Sequence, residues 1–141
     1  MQELNPILGP AALLATWSVV MFFIYVIRVM GSGAQLSELP PGFRGPDGEA
    51  DAPDKMKWTR HNYEHLMEQP TAFYALVIIL AIVGDTSAPS LYAAWTYAIA
   101  RIVHSFWQMQ VNTIPVRFLL FMIATLALAM LGVHAVMFTL L

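Results

Sequence analysis

Residues 69–84 form a 16-residue run without a charged side chain, entered from one of the most polar stretches of the chain, Arg60-His61-Asn62-Tyr63-Glu64-His65-Leu66-Met67-Glu68-Gln69-Pro70. As a helix the uncharged run would be roughly 24 Å long at the usual rise per residue. That falls short of a hydrocarbon core of about 30 Å. For this segment to cross a bilayer, the turn carrying His65 and Glu68 must sink into the membrane or lie just beneath its surface. Ionisable groups at that depth are costly, and they normally face a bundle interior or an aqueous cavity, where they serve function. A membrane setting agrees with the composition: hydrophobic residues make up 58% of the 141 residues and charged residues 11%, against about 25% charged in soluble domains.

Four hydrophobic helices follow from the pattern, in a single all-α transmembrane domain. The first covers about residues 6–30, with Pro6 and Pro10 in its first turns and Arg28 at its far end, where an arginine can reach the interface. Glu3 replaces the basic start of a signal peptide, so this helix reads as retained. Residues 31–53 hold Gly31-Ser32-Gly33, Pro40-Pro41 and Gly45-Pro46-Asp47-Gly48, a density of breakers that reads as an aqueous loop. That loop is either a flexible connector or a lid. Asp51-Ala52-Pro53-Asp54 opens the second helix, about 54–84. Pro70 removes a backbone donor and crowds the carbonyl of Leu66, which predicts a bend just beyond Glu68. The third helix covers about 90–111 and the fourth about 115–140, opened by Pro115.

Arg44, Lys55, Lys57 and Arg60 lie in or beside the first loop, and Arg28 and Arg117 flank the same side. The positive-inside rule then places loops one and three in the cytoplasm and both termini outside. No basic cluster resembles a nucleic-acid footprint. With no cysteine in the chain, disulfides, thiolate metal sites and a cysteine nucleophile are excluded.

Two polar stripes carry the candidate chemistry. His61, His65 and Glu68 fall at i, i+4 and i+7 of helix two. Arg101, His104, Ser105, Gln108 and Asn112 fall at i, i+3, i+4, i+7 and i+11 of helix three, and Arg117 opens helix four. A stripe of this period faces other helices or water rather than lipid. One reading is that Glu68 neutralises Arg101 while hydroxyls and amides join helices. A second is a ligand site for an anionic or zwitterionic small molecule, with arginines for carboxylates and a glutamate for an ammonium. The same arginines could hold a thiolate. A third is an ion or proton pathway. A zinc site from His61, His65, Glu68 and His104 has suitable ligand types, but the neighbouring arginines would repel a dication, so no metal is expected. His134 reads as a packed or interface-facing histidine, and Trp17, Trp95 and Trp107 as packing or interfacial residues.

The segment Asn62–Pro70 followed by Phe73-Tyr74, then Arg101-Ile102-Val103-His104-Ser105, then Pro115-Val116-Arg117, resembles the MAPEG family, the membrane-associated proteins of eicosanoid and glutathione metabolism, and within it the small bacterial branch. The resemblance implies a four-helix bundle in a bacterial inner membrane, assembled as a homotrimer, with glutathione between subunits on the cytoplasmic side. By motif position Arg28, Glu68, Arg101 and His104 would help hold glutathione, joined by His65 and Gln108 where the family pattern carries other residues, and Arg117 would stabilise the thiolate. Glu64 stands where the pattern has arginine, and Phe118 where it has a hydroxyl. The implied function is binding of glutathione or a related thiol and its use to conjugate or reduce a lipophilic electrophile delivered by membrane lipid. The alternative is a non-catalytic scaffold or lipid-binding protein of the same fold.

Overall fold

The computed structural model describes residues 4–33 and 35–140; Glu3 and Leu141, used in reading the two termini, lie outside them. The described residues form five α-helices, two short 3-10 helices in the first loop (Leu36–Glu38 and Gly45–Gly48) and no strand: α1 (Leu8–Gly31), α2 (Asp54–Met67), α3 (Pro70–Ile82), α4 (Ala88–Gln110) and α5 (Ile114–Leu140). Three units are long and apolar enough to cross a membrane, Leu8–Gly31, Asp54–Ile82 and Ile114–Leu140. Helix α4 has the length, at 23 residues, but its polar stripe keeps it out of that set.

The predicted bend in the second helix is a break. Glu68 leaves the helical region at φ −88° and ψ −95°, and α3 restarts on Pro70. Pro70 has no N–H to offer the preceding turn. At the break itself, the carbonyl of Glu68 accepts from the Thr71 backbone N–H at 3.2 Å and from the Thr71 hydroxyl at 2.7 Å.

Helix α4 organises the bundle. It packs against α1, α2 and α5, most extensively against α5. Ala93, Ala94, Ala98 and Ala100 on α4 are buried, as are Ala124, Ala127, Leu131 and Ala135 at i, i+3, i+7 and i+11 of α5. Small residues let helix backbones approach closely in lipid, where packing rather than the hydrophobic effect drives association. Between these helices and α3, Phe73 stacks on Tyr97 with ring centroids 4.3 Å apart. Large apolar side chains such as Phe23, Ile82, Tyr92, Phe106, Phe118 and Leu126 stay exposed around the outside, as suits a surface meeting lipid tails.

The α4–α5 turn depends on Asn112, whose φ of 60° lies in the left-handed region that asparagine tolerates. Its N–H closes α4 on the carbonyl of Trp107 at 2.9 Å. At the opposite end Gly84, φ 78°, ends α3, and Asp85 donates its N–H to Leu80 at 2.9 Å.

The first loop is tied down. Glu49 accepts from Arg60 Nη2 at 2.6 Å and sits 2.6 Å from His61 Nε2, while Arg60 Nε lies 3.1 Å from Glu64. Loop backbone packs closely there: a Cβ on Gly45 would sit 3.0 Å from Arg60 Cδ. The Arg60 hydrogen bond holds the Glu49 carboxyl below its ordinary 4.5, helped by His61 and opposed by partial desolvation. A carboxyl depressed in the folded state stabilises it above the ordinary value, and that contribution is lost as pH falls through the lowered one. Amide hydrogen exchange of residues 44–52, corrected for intrinsic rates, is therefore expected to be slow and constant above the ordinary carboxylate range and to rise only as pH falls below it. Glu49→Gln should exchange fast at every pH; slow exchange in that variant would remove the clamp.

Candidate functional site

The two stripes meet where α2, α4 and α5 converge. Arg101 is only 1% exposed. It donates through Nη2 to the backbone carbonyl of His65 at 2.6 Å, and its guanidinium carbon lies 5.7 Å from the centre of the Phe121 ring. His65 stacks against the same ring at 5.7 Å, nearly parallel, and the His65 and His104 rings are 5.6 Å apart. The break at Glu68 makes this possible: the end of α2 offers its last carbonyls to a donor from another helix. Arg117, half-buried, donates Nη1 to Asn112 Oδ1 at 2.8 Å. Asn112 thus sets the turn and aims the arginine.

Several polar atoms in this cluster are buried without a partner: Nε and Nη1 of Arg101, Nε of Arg117, Nδ1 of His65 and Oε1 of Gln108. Among the described residues no carboxylate lies within ion-pairing distance of Arg101. Glu68, exposed, sits 3.7 Å from His65 Nε2, so a direct Glu68–Arg101 pair does not form within the protomer. A buried guanidinium without a counter-charge is expensive. Its vacant N–H groups have the geometry and sign for a carboxylate or other anion.

Arg28 stands apart from this cluster. It donates to the Thr59 hydroxyl and, at 2.7 Å, to the carbonyl of Lys55, fastening the end of α1 to the start of α2. His61, on the same helical face as His65 by spacing, is taken by Glu49 of the loop. Glu64, the opposite charge in the sequence pattern, is held by Arg60 rather than turned to Arg101. Among the described residues no cluster of three or more acidic or histidine side chains could hold a metal ion.

Sequence reasoning missed Phe121, the ring that His65 and Arg101 share. The available signal was its place one helical turn after Arg117. It also did not foresee that Ser105 is a hub, accepting from Trp17 Nε1 at 3.0 Å and from Asn62 Nδ2 at 2.7 Å. This hub joins α1, α2 and α4 beside the arginine cluster. At the far end, His134 is hydrogen-bonded to Ser90 at 2.7 Å. Val77, Leu80, Ala94 and Leu131 are buried in the same bundle.

No curated protein and no solved structure matches this chain. The sequence model of the MAPEG family matches residues 7–137, a span that takes in all of the motif positions, the break at Pro70 and the arginine cluster. The chain is an all-helical integral membrane protein and belongs to the MAPEG family.

Proposed function

We propose that the protein crosses the membrane four times, assembles as a homotrimer, and binds glutathione or a related anionic thiol in the cluster between α2, α4 and α5 to conjugate or reduce a lipophilic electrophile. The observation that carries this reading is Arg101, buried and charged, with two guanidinium nitrogens unpartnered. A carboxylate of the thiol peptide would meet them, while Gln108 and His104 offer amide and imidazole contacts one turn apart. In this reading the fourth crossing is α4, whose polar stripe is covered by the other helices. Loops one and three face the cytoplasm of a bacterial inner membrane, and both termini face outward. Arg28 and Glu68, outside the protomer's cluster, would act on a site completed by a neighbouring subunit.

Arg117 would hold the thiolate. A cation within about 4–6 Å of an ionising group lowers its pKa by about 1–3 units, so the thiol loses its proton to solvent near neutral pH. The thiolate then attacks the electrophilic carbon and forms the carbon–sulfur bond, and the leaving group departs with its electron pair. Arg117→Ala is expected to reduce the thiolate fraction at pH 7, read by its ultraviolet absorbance with saturating glutathione, by about 8- to 30-fold, down to the few per cent of an unperturbed thiol, with turnover falling in parallel and the oligomer unchanged in size. Unaltered turnover in that variant would eliminate the mechanism. If calorimetry detects no heat with millimolar glutathione on the wild-type protein, the scaffold or lipid-binding reading replaces it.

A further inference from the structure

The folded first loop borders a cavity of about 580 Å³ whose lining shares no residue with the arginine cluster. That volume lies within the range of small-ligand sites, about 300–1,000 Å³. Tyr25 and Val29 of α1, Met56 of α2, and Leu39 and Phe43 of the loop give it apolar walls. Its charged lining residues are Asp47, Glu49, Asp51, Lys57 and Arg60. Three of these are already committed. Asp47 accepts the Arg44 backbone N–H at 2.7 Å, and Glu49 and Arg60 hold each other in the loop clamp. Two remain. The Lys57 side chain is 25% exposed, and its carboxylate neighbour, Asp54, is mostly solvated and 3.7 Å away. Asp51 makes no ion pair or side-chain hydrogen bond among the described residues.

One cation whose counter-charge is a largely solvated carboxylate, and one anion without a partner among the described residues, on an apolar, aromatic-walled cavity favour a ligand with both charges and a greasy body. A purely anionic ligand would meet Asp51, and a purely cationic one would meet Lys57. The cavity also lies beside the last turns of α1, next to the helix end that Arg28 fastens to α2, where lipid headgroups meet protein. We infer that this cavity is a binding site for a zwitterionic phospholipid with an ethanolamine-type headgroup, phosphate toward Lys57 and ammonium toward Asp51, its upper chain against Tyr25, Val29 and Phe43. The Glu49 clamp is the roof that closes over it. This site is separate from the arginine cluster and does not depend on the chemistry proposed there.

Native mass spectrometry of the detergent-solubilised protein, titrated with dioleoyl phosphatidylethanolamine or dioleoyl phosphatidylglycerol, tests the assignment. The ethanolamine lipid is expected to remain bound to the wild type at least about tenfold more tightly than the glycerol lipid. Lys57→Ala and Asp51→Asn, both at the rim and outside the packed core, should each reduce that preference to near unity. Met56→Trp, which sets a bulky ring against the cavity wall and narrows it, should weaken the adduct. Equal retention of the anionic lipid would overturn the inference, and so would a preference that survives both rim substitutions. Free phosphoethanolamine should not displace the lipid; competition at equal concentration would show a soluble zwitterion to be the occupant and also overturn it.

Discussion

Arg101→Met is expected to weaken glutathione binding by roughly 10- to 150-fold, the loss of one charge-assisted contact worth about 1.5–3 kcal/mol, while the ligand-free protein unfolds no more easily than the wild type by more than about 1 kcal/mol. The two halves of this expectation pull against each other under the competing view. If Arg101 were packing glue, its removal would leave a partner charge or several acceptors stranded and cost about 3–5 kcal/mol. Among the described residues Arg101 makes one hydrogen bond, to the His65 carbonyl, and meets no carboxylate that its removal would strand. Methionine keeps much of the volume and ends the desolvation of an uncompensated charge, so the ligand-free protein has little to lose. Titration calorimetry gives the first number and thermal or denaturant unfolding in detergent gives the second. A large stability loss with unchanged affinity would make the cluster structural.

How much of this was legible beforehand depends on the interaction concerned. Local backbone rules located the helices, because proline, glycine and asparagine act within a few residues of themselves: Pro70 ends α2, Gly84 ends α3 and Asn112 ends α4. The burial of Arg101, His104, Ser105 and Gln108 followed from period alone, since a stripe on an apolar helix cannot face lipid. The pairing of those groups was not legible, because it depends on which helix arrives opposite. Spacing put His61, His65 and Glu68 on one face, yet His61 is claimed by Glu49 from a loop that reads as breakers, His65 stacks on Phe121 of α5, and Glu68 stays exposed. The same loop reads as flexible because glycine and proline dominate it. Its order comes from three side chains, Glu49, Arg60 and His61, whose proximity no local rule encodes. Arg28 illustrates a further limit, for its partners Thr59 and Lys55 lie across a connection that length and composition leave undefined.

Ser105→Val is expected to be among the most destabilising single changes in the chain. Valine is larger than serine by one methyl group, which a closely packed site must also accommodate, and it offers no acceptor to the Trp17 indole N–H or the Asn62 amide, which meet at the Ser105 hydroxyl oxygen from two other helices. Ser105 and Asn62 are both fully buried, and water cannot replace the lost contact without opening the bundle. Each stranded donor costs about 1–3 kcal/mol, so the variant should lose about 2–6 kcal/mol. The effect should extend to binding, because Ser105 fixes the rotation of α4 against α2 one residue from His104, and a small rotation carries Arg101 away from the His65 carbonyl. Pairing Ser105→Val with Asn62→Leu removes one stranded donor along with its acceptor and should recover part of the loss, the coupling that a double-mutant cycle isolates. Strict additivity of the two changes, or a single variant as stable as the wild type, would show that the three helices are held by packing alone and that the hydroxyl is a bystander.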